Sequence, residues 1–160
     1  MNIEVDQSRK VEQTGPTVLA FSNDEQGALL VPAAVKREIL RRLREQGRKK
    51  RSSVHMVFAA LVALLLGDVL KQGVWVTIDK EYPGHDARIR SQVLVHLCRL
   101  GVEATADMIT FGPVGKASTA HHLANSVYRG EGEPDRCATV REVWGLLGYK
   151  ARKARGPLAR

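Results

Sequence analysis

Apolar positions along the chain follow two spacings, and each predicts a different kind of element. Thr17-Val18-Leu19-Ala20-Phe21 and Ala28-Leu29-Leu30-Val31 are strand-like runs, and the turn-rich Ser22-Asn23-Asp24-Glu25-Gln26-Gly27 between them predicts a hairpin. Val74-Trp75-Val76-Thr77-Ile78-Asp79 is the clearest strand, β-branched and almost free of polar interruption, as an interior strand should be. Met108 to Phe111 supplies a further one. Helical spacing governs the rest. Val35, Ile39, Leu40 and Leu43 make the buried stripe of a helix over 33–46, with Pro32 suited to its first position and Gly47 at its end. Beyond an exposed connector over 48–53, with Ser52 or Ser53 as cap, a helix to about Lys71 is apolar nearly all round and must be covered on more than one side.

Later in the chain, Ile89, Val93, Leu97 and Leu100 line a helix capped by Asp86, with Gly101 as its stop. Ala120, Leu123, Ala124 and Val127 line another, capped by Ser118 or Thr119, and a last helix over about 140–147 follows Thr139. The order is two strands, two helices, strand, helix, strand, two helices. Such alternation predicts a layered α/β fold with a mixed or mostly parallel sheet flanked by helices. Residues 1–14 read as a loose N-terminus, 15–149 as one α/β domain and 150–160 as a flexible basic tail.

Composition narrows this picture only in part. The 160 residues suit one domain, and with 44% apolar but only 5% aromatic residues the core must be built from Leu, Val, Ile and Ala. The apolar run Val54 to Leu66 falls short of the roughly 20 residues a bilayer crossing needs, so a buried helix is expected and no membrane partner. That helix could be covered within the subunit or in a homodimer. Cys98 and Cys137 lack metal-ligand spacing, so zinc is not expected; Cys98 reads as a small core residue. Without a signal peptide at the N-terminus, a cytoplasmic location is expected. A formal charge of +8 comes from 25 Lys and Arg against 17 Asp and Glu. Arg37, Arg41 and Arg44 form a basic stripe continued by Arg48, and either a phosphate backbone or plain solvent could face it.

The richest chemistry lies in Ile78-Asp79-Lys80-Glu81-Tyr82-Pro83-Gly84-His85-Asp86, directly after the interior strand. If extended geometry persists, Asp79 and Glu81 point to the same side and can share one hard cation, Mg²⁺ or Mn²⁺. His85 is placed to move a proton or contact phosphate. A second strip, Gly112-Pro113-Val114-Gly115-Lys116-Ala117-Ser118, fails the spacing of a nucleotide-binding loop, and no dinucleotide fingerprint is present, so no nucleotide cofactor is expected. Lys116 and Ser118 at a helix start can still bind a phosphate ester. His121 shares one side of that helix with Asn125, and neighbouring strand ends would bring the two strips together.

In these features the chain resembles the ribonuclease H-like superfamily over about residues 17 to 130. Asn23-Asp24-Glu25-Gln26-Gly27 is similar to an Asp-Glu-Ser-Gly element of some prokaryotic members. The Asp79 strand with its helix and the Phe111 to Arg129 strand-loop-helix segment are similar to the later sheet and closing helix. The resemblance implies metal carboxylates at Asp24 and Asp79, assisted by Glu25 or Glu81. Two departures stand out: the closing helix has His121 or Asn125 where an acidic residue is expected, and the opening strand, taken as 17–21, has no central aspartate. The expected function is a divalent-metal-dependent nuclease or phosphodiesterase in which Asp79, Glu81, His85 and His121 act at the reaction centre. The alternative is a non-catalytic nucleic-acid-binding or protein-interaction domain using the Arg37/Arg41/Arg44 face and the tail.

Overall fold

Ile3 and Val5 alternate with Glu4 and Asp6, and that period of two builds β1 (Asn2–Ser8). In the computed structural model, which describes residues 1–23 and 25–148, this strand is the inner strand on which the sheet is assembled. The expectation of a loose N-terminus over 1–14 is therefore corrected. Ile3 and Val5 are buried in the main core, and β1 hydrogen-bonds to a strand on either side. Asp24 and residues 149–160, which include the basic tail, lie outside the described residues.

The expected hairpin forms from β2 (Thr17–Ser22) and β3 (Gln26–Val31), antiparallel to each other, with β2 antiparallel to β1. Two helices follow, α1 (Ala33–Glu45) and α2 (Lys50–Leu66). Pro32 serves as the N-cap of α1, and α2 begins earlier than expected, after Lys49, with no side-chain cap. β4 (Trp75–Asp79) then pairs parallel with β1, α3 (Asp86–Arg99) returns the chain, and β5 (Ile109–Gly112) pairs parallel with β4. His85, not Asp86, is the N-cap of α3. α4 (Thr119–Tyr128) starts on Ser118, whose hydroxyl accepts from the Ala120 amide. The short β6 (Arg136–Cys137) joins β3 in parallel, and α5 (Val140–Leu146) opens on a capping box of Thr139 and Glu142.

The result is an α/β fold: a six-stranded mixed sheet in the order β5-β4-β1-β2-β3-β6, flanked by five helices. Its two faces are unequal. Toward one face point Ile3, Val5, Leu19, Leu29, Val76, Ile78 and Ile109, which share a single large core with α1, α2, α3 and α5. α2 lies at its centre. Phe58, Leu61 and Leu66 are fully buried, each contributing about 1.5–3 kcal/mol by leaving water. That burial stabilises a helix with no side-chain cap, and its apolar surface is covered within the subunit. No helix among the described residues is long and apolar enough to cross a membrane.

Among the described residues, the other face carries α4 as its one helix. Val18, Ala20 and Ala28 of the sheet pack against Ala124 and Val127 in a small second core over β1, β2 and β3. Small side chains let α4 lie close there, while β4 and β5 extend beyond it. On those strands the same face carries Thr77, Asp79 and Thr110, with the exposed Trp75 at the start of β4. Cys98 is exposed, contrary to the expected core position; His96 is the polar residue of α3 that is buried.

A buried lysine organises the loop between β1 and β2. Lys36 of α1 is 3% exposed, and its Nζ donates to the Gln13 carbonyl at 2.8 Å and the Thr17 hydroxyl at 2.9 Å. Burial lowers its pKa to about 8, partly countered by Glu12. The loop so held carries Lys10 and Glu12 toward the end of β4.

Candidate functional site

The register of β1 against β4 sets Val5 opposite Ile78, so the next residues, Asp6 and Asp79, stand side by side on the α4 face. After Asp79 the chain continues through Lys80 to Glu81, then turns at Tyr82-Pro83-Gly84, where Gly84 takes φ +87° before α3 begins. Asp6, Asp79 and Glu81 each offer a carboxylate oxygen within 4.8 Å of the others. Opposite ligands on a hard cation are about 4.2 Å apart for Mg²⁺ and about 4.8 Å for Ca²⁺, so this donor set matches an oxygen-ligated divalent ion.

Each carboxylate is oriented by the fold. Asp6, 5% exposed, accepts from the Gln7 amide with Oδ1 at 2.8 Å and from His121 Nδ1 with Oδ2 at 2.9 Å. Asn125 Nδ2 lies 3.0 Å from His121 Nε2. An amide nitrogen can only donate, so His121 Nε2 accepts and Nδ1 carries the proton given to Asp6. Both ring nitrogens are thus engaged, and His121 positions Asp6 where the sequence suggested a proton carrier. Asp79 Oδ1 accepts from the Val114 amide at 2.8 Å, which joins the β5–α4 loop to the end of β4. The two strips singled out in the sequence do meet, through backbone and not through Lys116.

Crowding shows in the proton affinities. Burial raises the pKa of Glu81 to about 8, with the Asp79 hydrogen bond and the charges of Asp79 and Asp6 adding to it and Lys10 opposing. Asp6 is also raised, mainly by burial and also by Asp79, although its bonds from His121 and Gln7 pull the other way. Lys10 gives its Nζ to the Glu81 carbonyl at 3.2 Å and compensates the carboxylates only in part. A bound cation would invert this balance.

The other predicted residues are dispersed. Ser118 caps α4 and donates its hydroxyl proton to Glu4 at 2.8 Å, so that proton is not available to a phosphate. Lys116 is exposed on the loop and makes no hydrogen bond or ion pair among the described residues. His85 lies against His55, ring centroids 4.4 Å apart, on the side of Glu81 away from Asp6. Arg37, Arg41 and Arg44 occupy the outer face of α1 with no contact to the carboxylates, and Arg41 is bound by Glu38 and Glu45. Asp24, assigned by resemblance as a metal ligand, is outside the described residues. Asp6 takes the third position in the cluster. It was missed because β1 was not recognised, and the Ile-Glu-Val-Asp alternation was the available signal. Comparison with family models, characterised proteins and solved structures returns no match to this chain.

Proposed function

We propose that the chain is a divalent-cation-dependent phosphodiester hydrolase acting on nucleic acid in the cytoplasm, built on a ribonuclease H-like sheet. The observation that carries this reading is the convergence of Asp6, Asp79 and Glu81 at one end of the adjacent parallel strands β1 and β4. An antiparallel β1–β2–β3 unit continued by parallel β4 and β5 supports the resemblance, and Asp6 on β1 would serve as the central aspartate expected on the opening strand. His121 remains a departure, standing on α4 where an acidic residue was expected.

Asp6, Asp79 and Glu81 would hold Mg²⁺ or Mn²⁺. Such an ion supplies Lewis-acid activation of water and neutralises charge on the phosphate. The chain's own contribution is orientation. The Gln7 amide and His121 fix Asp6, the Val114 amide fixes Asp79, and the β4–α3 turn presents Glu81. The open face of β4 and β5 beside α4 leaves room for a strand to approach.

The test is cleavage of labelled single- and double-stranded DNA and RNA with Mg²⁺ or Mn²⁺. Wild type should cleave at least one of them, and Asp79→Asn should lose roughly 10²–10³-fold, as when one electrostatic stabiliser is removed. Absence of cleavage on every substrate, or equal rates for the variant, would refute the proposal.

A further inference from the structure

A second concavity opens beside Glu81, on the side away from Asp6. It encloses about 570 Å³ between the first turns of α2, the β4–α3 turn and the β1–β2 loop, and Lys50, Arg51, His55, Tyr82, His85 and Glu12 form its working walls. Three independent features specify what it can hold.

One wall is cationic. Lys50 and Arg51 are exposed and make no ion pair among the described residues, whereas Arg41 and Arg42 on α1 are bound by glutamates. Both cations stand on the first turn of α2, which has no acidic residue and no side-chain cap at Lys49. Uncapped amides, the positive end of a 17-residue helix and two unpaired cations together favour an anion such as a phosphate group.

A second wall is aromatic, with its rings tilted against one another. His55 and His85 lie at 4.4 Å between centroids, and Tyr82 meets the His55 ring edge-on at 5.0 Å. Arg88 approaches His55 Nδ1 at 2.8 Å; a guanidinium cannot accept, so Nδ1 does, and the neutral ring keeps its proton on Nε2. His85, the partly exposed ring of the three and braced by His55, can stack on a nucleobase.

The third wall accepts hydrogen bonds. Glu12 takes the Tyr82 hydroxyl proton on Oε1 at 3.1 Å, which leaves Oε2 to accept from a ligand, with Glu81 beyond it. A purely anionic ligand would be repelled here, whereas an amino group would be bound. Adenine, cytosine and guanine carry such an exocyclic amine; uracil and thymine do not.

We propose that this cleft binds one nucleotide of the substrate strand next to the carboxylate cluster. Its phosphate lies at Lys50 and Arg51, and an amino-bearing base lies against His85, facing Glu12. The substrate class rests on the phosphodiesterase reading, while the binding site stands on its own walls.

The experiment titrates the full chain with AMP, CMP, UMP and inorganic phosphate by calorimetry, in EDTA so that no divalent ion takes part. Wild type should bind AMP and CMP, with UMP about tenfold weaker. The double variant Lys50→Ala/Arg51→Ala should weaken AMP about tenfold or more; both positions are exposed, and an unchanged circular dichroism spectrum confirms the fold. His85→Ala should weaken AMP but not phosphate, and Glu38→Gln on the outer face of α1 should leave AMP binding unchanged. Equal AMP affinity in wild type and the double variant, no AMP binding at all, or phosphate binding as tightly as AMP would overturn the assignment. Loss of cleavage in Asp79→Asn is read on a different variant and assay, so the two proposals fail separately.

Discussion

Glu38 and Glu81 carry the same carboxyl group, and the fold drives them in opposite directions. Glu38 on α1 receives hydrogen bonds from Arg41 at 2.7 Å and Arg42 at 2.8 Å, which hold its pKa down at about 2. Glu81 is pressed by burial against Asp79 and Asp6, and its pKa rises to about 8. α1 therefore holds Arg41 and Arg42 on its own glutamates, so the most regular basic stripe in the sequence is partly tied up within its own helix. The end of β1 and β4 is left with an electrostatic imbalance that a cation would relieve. Regular charge spacing marked the self-contained region; unrelieved crowding marks the one suited to binding.

The sharpest way to break the contrast is to remove the carboxylate that β1 contributes. Asp6→Asn should abolish cation-dependent cleavage by roughly 10²–10³-fold, measured as kcat/KM, while Glu38→Gln leaves it unchanged. A smaller effect is expected at His121, which acts through Asp6. His121→Ala should lower activity by about 10–100-fold, the usual loss for a residue that orients a ligand, and the dependence on Mg²⁺ concentration should move to higher concentration. An unchanged metal dependence would make His121 a packing residue only.

Stability against pH separates the two glutamates next. Glu81 binds its proton more tightly folded, at about 8, than unfolded, near the ordinary 4.5, so its contribution is fully present below about pH 4.5 and is lost as pH rises through 8. Glu38 has the reverse sign: its contribution is present above about 4.5 and is lost as pH falls through 2. In EDTA, Glu81→Gln should be more stable than wild type at pH 8, by about 0.5–2 kcal/mol, and the difference should shrink at pH 5. Mg²⁺ should stabilise wild type at pH 8 and the variant less; denaturant titrations in both conditions check this. The smallest effect belongs to α1. Arg41→Ala should leave the melting temperature close to wild type, because an exposed ion pair in water contributes little.

What the sequence revealed followed from local pattern. The β2–β3 hairpin, the stripe of α1, the interior strand β4, the Ser118 cap and the helix after Thr139 all follow from spacing and capping chemistry within a few residues. β1 was hidden because Glu4, Asp6, Gln7 and Ser8 make it polar on average, even though Ile3 and Val5 keep the strand period. β6 has only two residues and exists because β3 offers Leu29 and Leu30 as partners. In the cluster, Asp79 and Glu81 were legible as acids at a strand end. Their meeting with Asp6 was not, since it depends on which strand lies beside β4.

The pairing of β1 with β4 also bears on how the chain reaches its final form. The two strands are separated by the hairpin, α1 and α2, so their alignment closes late compared with the local β1–β2 and β2–β3 ladders. A slip of one residue in that alignment would turn Asp79 to the face opposite Asp6 and dissolve the triad. A divalent ion would therefore discriminate between the correct register and its neighbours, acting as a proofreader of this pairing.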